Sequence, residues 1–267
     1  LGKSWAIFLI FCWYLFPLFE AFGFLHFYYV KLAIRGFAEP LSNLFFFSSL
    51  ALIIHIYKIN KSFISKEKIS YFFLGLMLSL ALGLRANILP AFLILAIYIF
   101  LVLLKSKEYK SILYLGLGLT PCLVMPLHNF YFTKKFIPLT IAAYKDWNLG
   151  ARPMDYIILL ISFFKLNIDL TLLKKIIAHI SGEIKIYEIW YHLSIFSTIY
   201  IAINKKNDKM IKLISWTALS MLSLILFYHV GGRYSYLTWT LCLIVFCFWV
   251  KNILFPLLKK MRNYNAT

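Results

Sequence analysis

The stretch Ile88–Leu104, ILPAFLILAIYIFLVLL, runs without a single charge and stops at Lys105. With its flanking residues it reaches the roughly 20 apolar residues that a helix needs to cross about 30 Å of hydrocarbon. Working outward, seven further runs of the same kind appear at Trp5–Phe19, Leu41–Tyr57, Tyr71–Leu84, Ile112–Leu127, Ile189–Ile203, Ile211–Tyr228 and Tyr234–Val250. The whole chain of 267 residues is 62% hydrophobic and 14% charged, with a mean hydropathy of +0.81. A water-facing globule cannot hide that much apolar surface. Composition therefore excludes a soluble enzyme, a secreted disulfide scaffold and a disordered tail. The expected fold class is all-α: a polytopic integral membrane protein with about eight transmembrane helices, residues 1–267 forming a single transmembrane domain.

The formal charge of +18 raises the question of nucleic acid. The basic residues lie mostly in short loops between apolar runs, where a membrane protein carries them on the cytoplasmic side, so no nucleic-acid partner is expected. With Lys3 inside, the inner segments are Lys58–Lys68, Lys105–Lys110, Lys205–Lys212 and the tail from Lys251. Together with Lys3 they hold 16 Lys and Arg against 3 acids, a net +13, and the outer segments hold 12 against 7, a net +5. Eight spans with both ends inside satisfy that split. Lys3 and Trp5–Phe19 resemble the start of a signal peptide, but bulky Phe16–Glu20 offers no cleavage site, so an uncleaved span is expected. Cys12, Cys122, Cys242 and Cys247 all lie inside apolar runs with no ligand spacing, and read as small buried hydrophobes. A composition rich in Ile, Lys, Asn and Phe suggests an AT-rich bacterial genome.

The unusual sequence falls on the outer side. Phe22–Pro40 mixes aromatics with Lys31, Arg35 and Glu39. Two connections are tight hairpins, at Arg85–Asn87 and Gly231–Arg233. The fourth outer segment, residues 128–188, is long and half apolar. Within it Leu166–Ile180 puts Leu166, Leu170, Leu173, Ile176, Ile177 and Ile180 on one helical face, with Asn167, Thr171, Lys174, Lys175 and His179 opposite. Interfacial helices are expected in this loop.

Candidate functional residues follow from charge at the outer ends of spans. Arg85 favours the C-terminus of the helix before it, and Asn87 is placed to cap the next helix, where Pro90 is tolerated. Arg233 stands at the N-terminus of the last long span, where positive charge opposes the helix dipole, so an anion site explains it better than capping does. Arg35 and Glu39 are four apart just before a span, an i,i+4 pair in its poorer order, or an acid and a base at the outer membrane surface. Lys134, Lys135, Lys145 and Arg152 add charge from the long loop. The six histidines show no HxxxH or HExxH spacing, so no metal site is expected. No GxSxG, Walker or GxGxxG pattern appears.

Together these motifs resemble the GT-C membrane glycosyltransferases, among them protein O-mannosyltransferases and the lipid A aminoarabinose transferase. Arg35–Leu41 (RGFAEPL) resembles their Arg-x-x-x-acid segment opening a span. Gly83–Pro90 (GLRANILP) resembles their helix-hairpin Arg and Pro region, with the Pro closer to the Arg here. Pro126–Asn129 (PLHN), then Phe136–Thr140 (FIPLT), resembles the span end and outer loop of bacterial members. Arg233-Tyr234 resembles their late Arg-Tyr motif.

The resemblance implies inverting transfer of a sugar from a polyprenyl-phosphate donor to a glycan, lipid or protein acceptor, on the outer face of a bacterial inner (plasma) membrane. Substrate-binding candidates are Arg35, Arg85, Asn87, Asn129, Lys134, Lys135, Arg233 and Tyr234. A carboxylate would serve as general base, or would position the acceptor or a divalent metal; no other cofactor is implied. Glu39 is the secondary candidate for that acid. The resemblance places the principal Asp in an outer loop upstream of Leu1, so the chain is expected to be an N-terminally truncated fragment, inactive alone. Two other readings compete. One is an O-antigen ligase or polymerase, with a large outer loop bearing Arg and His. The other is a transporter or flippase for a lipid-linked or anionic substrate, which should show mid-membrane acids or internal repeats. The eight runs show neither. A purely structural membrane subunit is the plainest alternative.

Overall fold

The computed structural model describes residues 2–7, 34–134, 153–165, 167–185, 189–226 and 236–264. These residues are overwhelmingly helical, and no strand occurs among them. The helices are α1 (Ala38–Asn60), α2 (Ile69–Leu84), α3 (Leu89–Lys105), α4 (Tyr109–Leu119), α5 (Val124–Thr133), α6 (Pro153–Phe164), α7 (Leu170–Lys185), α8 (Ile189–Ile203), α9 (Lys209–Leu222), α10 (Tyr236–Trp249) and α11 (Phe255–Tyr264). Among the described residues, four continuous helical stretches are long and apolar enough to cross a membrane: Ala38–Asn60, Ala86–Lys105, Tyr109–Thr133 and Tyr236–Leu258. Ile69–Leu84, Asp155–Phe164 and Tyr191–Ile203 are apolar but shorter.

The chain divides into two compact units. One comprises Phe27–Ala142 with Asp208–Thr217; the other comprises Leu1–His26, Ala143–Asn207 and Ala218–Thr267. In the first unit α2 is central, packed against α1 on one side and α4 on the other. α1 turns toward it a stripe of Glu39, Ser42, Asn43, Phe46, Ser49, Leu50, Ile53 and Ile56, repeating every three to four residues. Its exposed side carries Leu41, Leu44, Ile54 and Ile59. Polar groups inside and bare aliphatics outside reverse the soluble pattern and suit a lipid surround.

α2 and α4 run parallel, and glycine lets them touch. A Cβ on Gly75 would stand 2.5 Å from the Leu115 carbonyl oxygen, and one on Gly118 would overlap the Phe72 carbonyl oxygen. Ser79 Oγ donates to the Gly118 carbonyl at 3.2 Å, a polar tie at the same close approach. Where the start of α2 meets the start of α4, Lys68 pairs with Glu108. That hydrogen bond holds the Glu108 carboxyl below its ordinary range. Nearby, Tyr57 Oη donates to Asp208 Oδ2 at 2.8 Å, while Asp208 Oδ1 accepts from Met210 N–H and caps α9.

In the second unit α8 packs on α10 through small polar side chains. Ser194, Ser197 and Thr198 are buried, their hydroxyls returned to backbone carbonyls of the same helix. Tyr191 meets Trp239 edge to face at 4.2 Å between ring centroids. α6 and α7 form a helical hairpin in this unit.

Two local expectations change. The amphipathic helix expected over Leu166–Ile180 starts instead at Leu170, because Asp169 Oδ1 accepts from the N–H groups of Thr171 and Leu172 and caps it there. The span expected to end at Leu127 continues through a 3-10 turn at Thr120–Leu123 into α5, so that His128 and Asn129 are helical and not part of a loop. Pro121 opens that turn, where the missing N–H costs little.

Candidate functional site

At the end of the first unit that holds the α1 N-terminus, an acid from one helix meets a base from the next. Glu39 stands in the first turn of α1 and Arg85 is the C-cap of α2. Because the two helices are antiparallel neighbours, these ends coincide, and Glu39 forms an ion pair with Arg85. One carbonyl fixes the geometry. Ala81 O accepts the Arg85 backbone N–H at 3.1 Å and the Ser42 hydroxyl at 2.7 Å, locking α1 to the last turn of α2. The pair is asymmetric: the Glu39 side chain is 3% exposed and that of Arg85 28%. Each charge also complements its own helix, the acid at an N-terminus and the base at a C-terminus.

This overturns the Arg35–Glu39 pair that the sequence spacing offered. Arg35 is exposed in the turn before α1, where Gly36 adopts φ +75°, so the chain bends there and no helical turn links positions 35 and 39. Nor is Glu39 a surface acid. Its carboxylate is covered, and only the guanidinium of its partner opens outward.

Asn87 lies in the 3-10 turn Ala86–Ile88 and does not cap α3, whose first position after Ile88 lacks any side-chain cap. Its Oδ1 is buried without a hydrogen-bond partner among the described residues. A buried acceptor left unmatched in this way costs about 1–3 kcal/mol and marks a place where a donor would be welcomed. α5 continues the helical stretch of α4 beyond the turn at Thr120–Leu123. Asn129 is half-buried on α5, and Lys134 ends that helix in the left-handed region with its Nζ 5.3 Å from the Tyr131 ring centroid. Of the sequence-predicted residues the structure joins Glu39 and Arg85, Asn87 stands in the turn that follows Arg85, and Arg35, Asn129 and Lys134 belong to the same unit. Lys135, Arg233 and Tyr234 lie outside the described residues.

Sequence reasoning passed over Asn43 and Ser42, both buried beside Glu39 on the same face. Their signal was present: polar residues at 39, 42, 43 and 49 inside an apolar run share one side of a helix. Among the described residues, no three His, Cys, Asp or Glu side chains gather where they could hold a metal ion. Chemically, the arrangement offers a part-open guanidinium for an anion, a carboxylate behind it and amides at the rim. No protein-family model, curated protein or solved structure matches the chain.

Proposed function

We propose that the chain is a membrane glycosyltransferase of the GT-C kind, which moves a sugar from a polyprenyl-phosphate donor to an acceptor hydroxyl. In this reading eight helices cross a bacterial inner membrane, both ends are cytoplasmic, and the Glu39–Arg85 end faces outward. The observation that carries it is the buried carboxylate joined to a part-open guanidinium at the end of an apolar helix bundle. A lipid-linked phosphate brings its chain to the apolar side and its charge to such an end.

The chemistry assigns the open side of Arg85, aided by exposed Arg35 and Lys134, to the donor phosphate. As the phosphate draws the guanidinium outward, the Glu39 carboxylate is released from that ion pair and, as the secondary candidate for the acid, can accept a proton from the acceptor hydroxyl. The acceptor oxygen then bonds to the anomeric carbon from the opposite face, the bond from that carbon to the phosphate oxygen breaks, and polyprenyl phosphate leaves with its charge held by Arg85. Asn87 and Asn129 are assigned to the sugar hydroxyls.

Binding of polyprenyl phosphate to the chain in lipid nanodiscs tests the reading without requiring turnover. Arg85→Lys keeps the charge but loses the bidentate fork, and should weaken binding by roughly tenfold or more. Equal binding by the parent, Arg85→Lys and Arg85→Ala would overturn the assignment.

A further inference from the structure

Helix α6, Pro153–Phe164, is apolar around almost its whole circumference. Ile157, Ile158, Leu160, Ile161, Phe163 and Phe164 are all exposed, Phe164 by 82%. Its covered stripe is narrow, made of Asp155, Tyr156, Leu159 and Ser162. α7 packs on α6, and Lys175 Nζ meets Asp155 Oδ2 at 2.7 Å. The two helices divide the labour. α7 buries Ile176 and half-buries Leu172 and Leu173; its exposed side carries Thr171, Lys174, Lys175 and Ala178, bordered by exposed Leu170 and Ile177, the mixed surface of a helix at a water boundary. α6 exposes no polar side at all between Asp155 and Lys165.

The hairpin's attachment fixes its depth. α7 also packs on Ser223–Leu226, the turn that ends α9. From Leu213 to Leu226 no residue is charged. Taking α9 and its turn as one of the proposed spans, that turn lies roughly 16–21 Å along the helix from Lys212, inside the about 30 Å of hydrocarbon. At about 18 Å, α6 is too short to cross the bilayer. Charges at both of its ends, Asp155 and Lys165, hold it along the membrane plane and not across it.

We infer that α6 lies sunk among the acyl chains of one membrane leaflet, parallel to the surface, with α7 as its roof toward the headgroups. The occupant of its exposed surface is lipid hydrocarbon. This differs from an ordinary interfacial helix, which keeps a polar face of its own toward water. Here the second helix supplies that face, and the pair forms a lipid-seated platform beside the end of α9.

The unaltered full chain, reconstituted into phosphatidylcholine vesicles containing a trace of phosphatidylcholine with a diazirine on its acyl chain, tests this directly. After photolysis, peptide mass spectrometry should find adducts across Ile157–Phe164 at yields comparable with those on Leu93, Ile97 and Leu101, the exposed residues of α3. Lys174 and Ala178 should carry none. Labelled α3 with unlabelled α6 would overturn the inference, whether a water-soluble diazirine then marks α6 or a second protein surface shields it from both reagents.

Discussion

Glu39 and Arg85 close an ion pair across the ends of two antiparallel helices, and the Ala81 carbonyl that caps α2 also binds Ser42 of α1. The pair is therefore anchored by backbone on both sides. Its members satisfy opposite helix dipoles at one end of the unit, which explains how a carboxylate can be 3% exposed in an apolar bundle.

A buried charge is costly chiefly when its partner is removed. Arg85→Met should lower stability by about 2–4 kcal/mol, because it leaves the covered Glu39 carboxylate without its countercharge, with part of the cost relieved by the open side of the pair. The double variant Glu39→Gln with Arg85→Met should recover a large part of that loss. Thermal unfolding in detergent of the parent, both single variants and the double variant completes the cycle. Simple additivity would show that the two residues are not coupled.

Close helix approach makes the glycines unequal. Gly118→Ala places a methyl group onto the Phe72 carbonyl of α2 and should cost about 1–3 kcal/mol by forcing the helices apart. Gly116, with nothing within 4 Å of its would-be Cβ, should accept Ala with a gain of up to about 1 kcal/mol. Unfolding midpoints of the two variants should move in opposite directions. A shift of the same sign and size would contradict the α2–α4 packing.

The Lys68–Glu108 pair gives a pH signature. Its hydrogen bond depresses the Glu108 pKa in the folded state, so the contribution is present above the unfolded carboxylate value and disappears as pH falls through the lower folded value. Glu108→Gln should unfold at a lower temperature than the parent near about pH 7. The gap should close as pH falls through the lowered folded value, where the parent's carboxyl becomes protonated as well. A gap independent of pH would mean that the glutamate matters through packing and not through charge.

The eight-span topology predicts which cysteines a membrane-impermeant reagent reaches from outside. Cysteine introduced at Lys134 or Lys175 should be modified in intact cells, and cysteine at Lys107 or Lys206 only after permeabilisation. The reverse pattern would place the Glu39–Arg85 end on the cytoplasmic side.

Helical class and membrane-scale apolarity were legible from the sequence because both are properties of a single segment. Ile88–Leu104 is apolar whatever surrounds it, and a charge-free run of that length has few alternatives to a helix in lipid. The same local logic correctly placed Arg85 at a helix C-terminus. It failed for Glu39, since an i,i+4 spacing matters only if both positions are helical, and Gly36 breaks the chain between them. The helix capped by Asp169 was misjudged in its start for a related reason. Apolar periodicity extends through Leu166, whereas the side-chain cap decides where the backbone begins to turn. What only the tertiary structure decided is the partnership of Glu39 with Arg85, the contact at Gly75 and Gly118, and the bare circumference of α6. Each depends on which helix lies beside which, and a hydrophobic pattern in a membrane chain leaves that open, because lipid satisfies an apolar face as well as another helix does.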